Sequence, residues 1–202
     1  MLIKIYPDHP QKRQIAKIAK CLKEGGVIIY PTDTVYGFGC DIYNQKAVER
    51  ICRIKNIEPV KAQLSFVCDN LSHLSKYARS ISTPYYRILK SHIPGPFTFV
   101  LPASKEVPKI LKSKKNTIGL RVPDHPIAIA IIHELGNPIL SSSLPGEMVE
   151  EFTDPESIDD KFGKLVDLVV DGGIGGMHYS TIIDLTGDEP AVLRQGAGEF
   201  VQ

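Results

Sequence analysis

Residues 28–39 read IIYPTDTVYGFG, and their reading decides the fold class. Ile28, Ile29 and Tyr30 suit a buried strand, which Pro31 stops because proline has no backbone N–H for a ladder. Thr32, Asp33, Thr34 and Tyr36 then set three hydroxyls and a carboxylate within five residues. Gly37 and Gly39 close the segment, where glycine permits φ > 0 or a close backbone approach to a ligand. Ligands of open α/β sheets bind at strand ends, so this turn is the first candidate binding element. An ordinary strand–turn with polar punctuation is the alternative reading of the segment taken alone.

Around it the chain alternates unevenly between helical and extended patterns. Ile15, Ile18, Ala19 and Leu22 recur at helical spacing, and Gly25 and Gly26 end that helix. Asn44 caps a second helix with Ala47, Val48, Ile51 and Ile54 on one face. Thr83-Pro84 reads as an N-cap followed by proline at the first helical position, and Pro126 opens a strongly apolar helix that Gly136 stops. Leu64–Cys68, Thr98–Leu101, Thr117–Val122, Ile139–Ser143, Leu165–Val170, Ser180–Leu185 and Ala191–Arg194 read as strands. Strands outnumber helices and do not alternate strictly with them. The fold class is therefore α/β, a mixed, twisted sheet with helices packed on it, rather than a barrel of repeated βα units.

Composition bounds the function. The 202 residues carry a net charge of +1, with 43% hydrophobic and 23% charged residues, as expected of one ordinary domain. No stretch of 18 apolar residues offers a membrane span, and residues 1–10 lack the apolar centre of a secretion signal. Cys21, Cys40, Cys52 and Cys68 form no CxxC pair, which fits reduced thiols and a cytoplasmic location better than disulfides or zinc. Two charged runs stand out: Lys105, Lys109, Lys112, Lys114 and Lys115, and the segment 147–160 with seven acids and no base. A solvated face is the default reading of each.

Several chemistries fall away. GxxxxGK[ST] is absent, which excludes a P-loop, and the GGIGG run at 172–176 lacks the spacing of a dinucleotide fingerprint; a mobile loop is expected there. His133-Glu134 has Asn137 where a zincin needs its second histidine, and Ser141–Ser143 lack the GxSxG elbow. His92, His125 and His178 stand alone and read as structural or surface groups.

Five segments remain, in order: PTDTVYGFG from Pro31, PGPFTFVL from Pro94, TIGLRVPDHP from Thr117, PILSSS from Pro138, and STIIDLTG from Ser180 with LRQGAG from Leu193. Together they closely resemble the YrdC/YciO family, the fold of threonylcarbamoyl-adenylate synthases, over about residues 10–200. The resemblance implies a single YrdC-like domain over 1–202 built around a concave cavity, with no room for the extra C-terminal domain of the longer synthases. It further implies a reaction joining ATP, L-threonine and bicarbonate into threonylcarbamoyl-AMP and pyrophosphate, with Mg²⁺ on the triphosphate, in the service of tRNA modification.

Matched position by position, the resemblance implies a nucleotide site of Lys55, Lys61, Thr117, Ser143 and Arg194 and a threonine site of Thr34, Arg121 and Ser180. A guanidinium such as that of Arg121 suits a carboxylate bidentately. The resemblance also implies binding of double-stranded RNA or tRNA, to which Lys112, Lys114 and Lys115 could add phosphate contacts. Little aromatic interleaving favours duplex shape over stacking on unpaired bases. Two departures set this chain apart and make it look more like the YciO branch. The synthases' KxR is Lys55-Asn56-Ile57 here, and their SxN is Ser143-Leu144-Pro145; neither Ile57 nor Pro145 offers a side-chain hydrogen bond. Three functions stay open on this basis: a synthase-like enzyme, an RNA-binding protein that lost the chemistry, and a nucleotide hydrolase or sensor using the same cavity.

Overall fold

A computed structural model describes residues 1–58, 64–111, 115–145 and 152–201. Six helices belong to the described chain: α1 Lys12–Lys23, α2 Gln45–Ile54, α3 Leu71–Tyr77, α4 Thr83–His92, α5 Pro126–Leu135 and α6 Pro155–Phe162. Ten strands accompany them: β1 Leu2–Lys4, β2 Ile28–Tyr30, β3 Gly37–Asp41, β4 Ser65–Val67, β5 Phe97–Pro102, β6 Thr117–Arg121, β7 Ile139–Ser143, β8 Leu168–Asp171, β9 Thr181–Asp184 and β10 Ala191–Arg194. They form one mixed sheet in the order β1-β8-β2-β3-β7-β4-β6-β5-β9-β10. β8 runs parallel to both β1 and β2, and parallel pairs also join β4 to β6 and β5 to β9.

Local chemistry explains most boundaries. Both α1 and α2 end in Schellman motifs. In α1, Gly25 N–H bonds Leu22 O and Gly26 N–H bonds Cys21 O; in α2, Asn56 N–H bonds Arg53 O and Ile57 N–H bonds Cys52 O. Asn56 takes the left-handed position at φ 53°, which asparagine tolerates better than most residues. Asn44 caps α2 by accepting from the Ala47 amide. α5 spans the expected Pro126–Leu135 and stops at Gly136, φ 85°.

Side-chain alternation divides the two faces. On one face Leu140, Phe66, Leu120, Phe99 and Ile183 are register partners across five strands, and all are fully buried. Burying one such side chain contributes about 1.5–3 kcal/mol; this row packs with Ala47, Val48 and Ile51 of α2, Leu74 of α3, Leu89 of α4, and Ile158 and Phe162 of α6. On the other face, α1 and α5 cover Ile28, Tyr30, Val67 and Ile139. One side-chain period further along that face, Ser141, Ser65 and Gly119 are register partners. Large side chains give way to small ones there, and a hollow results.

Four expectations need correction. Gly37 and Gly39 do not close a turn but lie in β3, antiparallel to β2. The close approach that requires glycine is internal: a Cβ on Gly39 would come 2.8 Å from Tyr30 Cε1 and 2.9 Å from Ile139 Cγ2. The cap of α4 is Ser82, not Thr83. The acidic run is not wholly a solvated face: Asp154 caps α6, which buries Ile158 and Phe162. The GGIGG run is fastened rather than loose: Gly176 N–H donates to Thr34 O at 2.7 Å, and Tyr36 Oη donates to Gly173 O at 2.7 Å. A Cβ on Gly176 would overlap the Thr34 carbonyl, so only glycine lets the loop close on the PTDT turn.

All four cysteines are free. No described helix is long and apolar enough to cross a membrane.

Candidate functional site

The hollow is a cavity of about 780 Å³, within the range of small-molecule and cofactor sites. Ser65, Gly119, Ser141 and Gly37 belong to its lining, as do the hydroxyls of Thr32, Thr34, Thr98 and Ser180. Three cations among the described residues reach it: Lys55, Arg121 and Arg194.

Lys55 is the C-cap of α2, and the turn through Asn56 brings both Lys55 and Ile57 to the cavity. Its Nζ donates to Ser142 Oγ at 2.7 Å and to the Ser143 carbonyl at 2.5 Å, which ties the end of α2 to the end of β7. Burial lowers its pKa from the ordinary lysine value, because desolvation disfavours the charged amine.

Arg121 ends β6 and is buried, with 8% of its surface exposed. Its Nη2 donates to Asp33 Oδ1 at 2.5 Å and to Thr34 Oγ1 at 2.9 Å. Thr34 in turn shares a hydrogen bond with Thr32 Oγ1. The strand-end turn and the β6 arginine are thus one unit, which fixes the guanidinium without involving a ligand.

Arg194 approaches from β10. Its Nε and Nη2 both donate to the Ser180 carbonyl, at 3.1 and 2.8 Å, and its guanidinium lies 5.1 Å from the Tyr179 ring centroid, within cation–π range. Ser180 Oγ shares a hydrogen bond of 2.9 Å with Thr98 Oγ1. Burial lowers the Arg194 pKa, and the charge of Arg121 acts in the same direction. On the β2 side, Tyr30 Oη donates to Ser141 Oγ at 3.0 Å; full burial pushes its pKa up to about 12, so it remains a neutral phenol.

Thr34, Lys55, Thr117, Arg121, Ser143, Ser180 and Arg194 all line this one cavity. Lys61, Lys112 and Lys114 lie outside the described residues, and Lys115 is exposed. Ile57 lines the wall where the synthase motif would place an arginine. Sequence reasoning missed Ser65, Ser141, Ser142 and Tyr179. The run of three serines that ends β7 was the available signal for two of them. Among the described residues no group of three or more His, Cys, Asp or Glu could hold a metal ion.

One mixed sheet whose strand ends and neighbouring loops surround a polar cavity with three cations defines an α/β protein with a candidate site for a small anionic molecule. The chain belongs to the Sua5/YciO/YrdC family, whose model, described as telomere recombination, matches residues 20–196. It is 45% identical to YciO of Escherichia coli K12 over 198 residues, covering 96% of this chain and 95% of that one. The crystal structure of E. coli YciO superposes with a TM-score of 0.92 at 43% identity, over 98% of this chain and 97% of that one. A threonylcarbamoyl-AMP synthase of Coxiella burnetii is 33% identical over 171 residues, 85% of this chain and 91% of that protein. Pyrococcus abyssi Sua5 in complex with L-threonine superposes with a TM-score of 0.88 at 30% identity, covering 97% of this chain and 57% of the longer Sua5 chain.

Proposed function

We propose that this protein binds ATP, L-threonine and bicarbonate in the cavity and forms threonylcarbamoyl-AMP slowly, as a synthase-like, RNA-associated member of its family. One observation carries the reading: the described residues that match the family's nucleotide and threonine positions line a single cavity, and Ile57 lines it with them. Lys55 and Arg194 meet phosphate, Arg121 meets the threonine carboxylate, and the Thr34, Ser142 and Ser143 hydroxyls orient bicarbonate. Forming the product requires a new N–C bond from the threonine amine to the bicarbonate carbon, with a C–O bond broken and water lost. A new O–P bond then joins the resulting carbamate oxygen to the α-phosphorus, with the bond to the β-phosphate broken and pyrophosphate leaving. Fixed donors that meet developing charge are usually the largest catalytic term. Ile57 and Pro145 supply none.

No carboxylate is among the described residues lining the cavity, a donor set that fits Mg²⁺ carried on the phosphates with its own waters rather than a protein-held ion. Bound there, Mg²⁺ would offset phosphate charge beside Lys55.

Incubation with ATP, L-threonine and bicarbonate, with separate detection of pyrophosphate and the adenylate, tests the reading. A low but measurable rate is expected. Ile57→Arg should raise it by roughly tenfold or more, because one oxyanion-type donor is worth about 2–4 kcal/mol. Pro145→Asn adds to that gain if the backbone allows. A wild-type rate equal to a dedicated synthase's would overturn the account of the departures, and pyrophosphate release without the adenylate would favour a hydrolase.

RNA binding is supported by a separate observation. The Ala78↔Ala103 bridge and the Ser104 N–H to Tyr77 O bond join the two segments. Exposed Lys76 and Arg79 thereby sit beside the segment that carries exposed Lys105, Lys109 and Lys115. Binding of a duplex RNA should weaken when Lys105, Lys109 and Lys115 become glutamate. The log–log salt slope should also flatten, by about 0.9 per lost contact if B-DNA values carry over. An unchanged slope would return these lysines to a solvated face.

A further inference from the structure

The three cations of the cavity are not equivalent. Among the described residues, Lys55 is held by a serine hydroxyl and a carbonyl, and Arg194 by the Ser180 carbonyl. Arg121 alone of the three faces a carboxylate, Asp33, in an ion pair whose side chains are 9% and 10% exposed. Asp33 stands behind Arg121: Thr32, Thr34 and Val35 line the cavity and Asp33 does not. Asp33 Oδ2 and Arg121 Nε are buried and make no hydrogen bond among the described residues.

We propose that Asp33 determines which anion each cation accepts, reserving Arg121 for a singly charged carboxylate and leaving phosphates to Lys55 and Arg194. The inference rests on the proposed function only in taking these cations as anion ligands. The physical argument is one of charge scaling. Attraction to Arg121 and repulsion from Asp33 both grow with the charge of an incoming anion, so the paired carboxylate cancels most of the advantage a bare guanidinium would give a multiply charged ligand, and at a poorly solvated site this cancellation is weakly screened. A carboxylate meets it as a monoanion, pyrophosphate as a species of several charges. Asp33 is thus a repulsive element that costs the wrong ligand more than the right one. His125 and Tyr30 are other titratable groups that interact with this carboxylate; burial lowers the His125 pKa and raises that of Tyr30, so near neutral pH neither adds positive charge to offset Asp33.

A cavity for a phosphate chain and an amino acid needs such a distinction, because an unpaired guanidinium binds phosphate at least as readily as carboxylate. Nη2 donates to both Thr34 Oγ1 and Asp33 Oδ1, so the residue that screens the guanidinium also positions it.

Calorimetric titration with pyrophosphate, without added divalent metal, tests the proposal on wild type, Asp33→Asn and Asp33→Asn/Arg121→Gln. Asparagine keeps an acceptor for Nη2 and removes only the charge. Asp33→Asn is expected to bind pyrophosphate about tenfold tighter or more, or at a second site, a shift of about 1.4 kcal/mol, with a smaller change for L-threonine. The double variant should return to the wild-type value. Equal affinity in wild type and Asp33→Asn, or a gain that survives Arg121→Gln, would overturn it. If thermal melting shows Asp33→Asn unfolded, the wild type decides: saturating L-threonine should leave pyrophosphate affinity unchanged, and competition between the two would overturn the proposal. Absence of threonine binding to the wild type would count against the proposed function instead, and the pyrophosphate comparison would stand.

Discussion

Arg121→Ala is expected to remove measurable L-threonine binding and to lower the melting temperature steeply. Losing the charge-assisted contact to a carboxylate should cost about 2–5 kcal/mol of binding, at least roughly 30-fold in affinity. Stability falls for a different reason. Asp33 is left buried without its counter-ion, and breaking a buried pair from one side costs about 3–5 kcal/mol; in a chain of this length that is roughly 6–20 °C of melting temperature. Adding Asp33→Asn to Arg121→Ala should restore much of the stability and none of the binding. Calorimetry and thermal unfolding read the two effects separately. Retained threonine binding in Arg121→Ala would remove this residue from the ligand site.

Lys55→Met should have the next largest effect, on the nucleotide side. The substitution keeps the apolar stem and removes the charge and the donors that reach Ser142 Oγ and the Ser143 carbonyl. ATP affinity should fall by about 2–4 kcal/mol, or roughly 30- to 1000-fold, on the scale of single oxyanion donors. The wild type should also lose affinity as pH rises, because only the protonated amine attracts phosphate. Since burial lowers the Lys55 pKa, that decline begins below the ordinary lysine range, and Lys55→Met should not show it. ATP binding followed against pH in both proteins checks this; identical profiles would exclude Lys55 as the phosphate ligand.

The sequence was most legible where local chemistry and tertiary packing agree. The proline start and glycine stop of α5, the Asn44 cap and the β7 run Ile139–Ser143 fall where periodicity puts them. It was least legible where packing overrides propensity. The GFGCD of β3 reads as a turn because it holds two glycines, yet Tyr30 and Ile139 leave no room for a side chain at Gly39. β1 is three residues long, too short for a pattern. α6 was hidden by its acids, although Ile158 and Phe162, four apart, already marked a buried helical face.

The residues that line the cavity were legible through family resemblance rather than through spacing. Thr34 and Arg121 lie 87 positions apart and share a hydrogen bond, a pairing no local pattern announces. The line of small side chains that makes room for a ligand is visible only once β7, β4 and β6 are set side by side.

The place of β8 has a consequence for how the protein comes into being. Residues 168–171 lie between β1 and β2 and pair with both. A chain leaving the ribosome N-terminus first can join β2 to β3 at once, but β1 has no neighbour until β8 is made. At about 5–20 residues per second, that interval lasts on the order of ten seconds. Through it the apolar residues Ile3 and Ile5, and Ile15, Ile18 and Leu22 of α1, have an incomplete core to enter. The nascent chain therefore carries an unpaired strand edge and an uncovered helix for most of its synthesis, the kind of surface on which chaperones act.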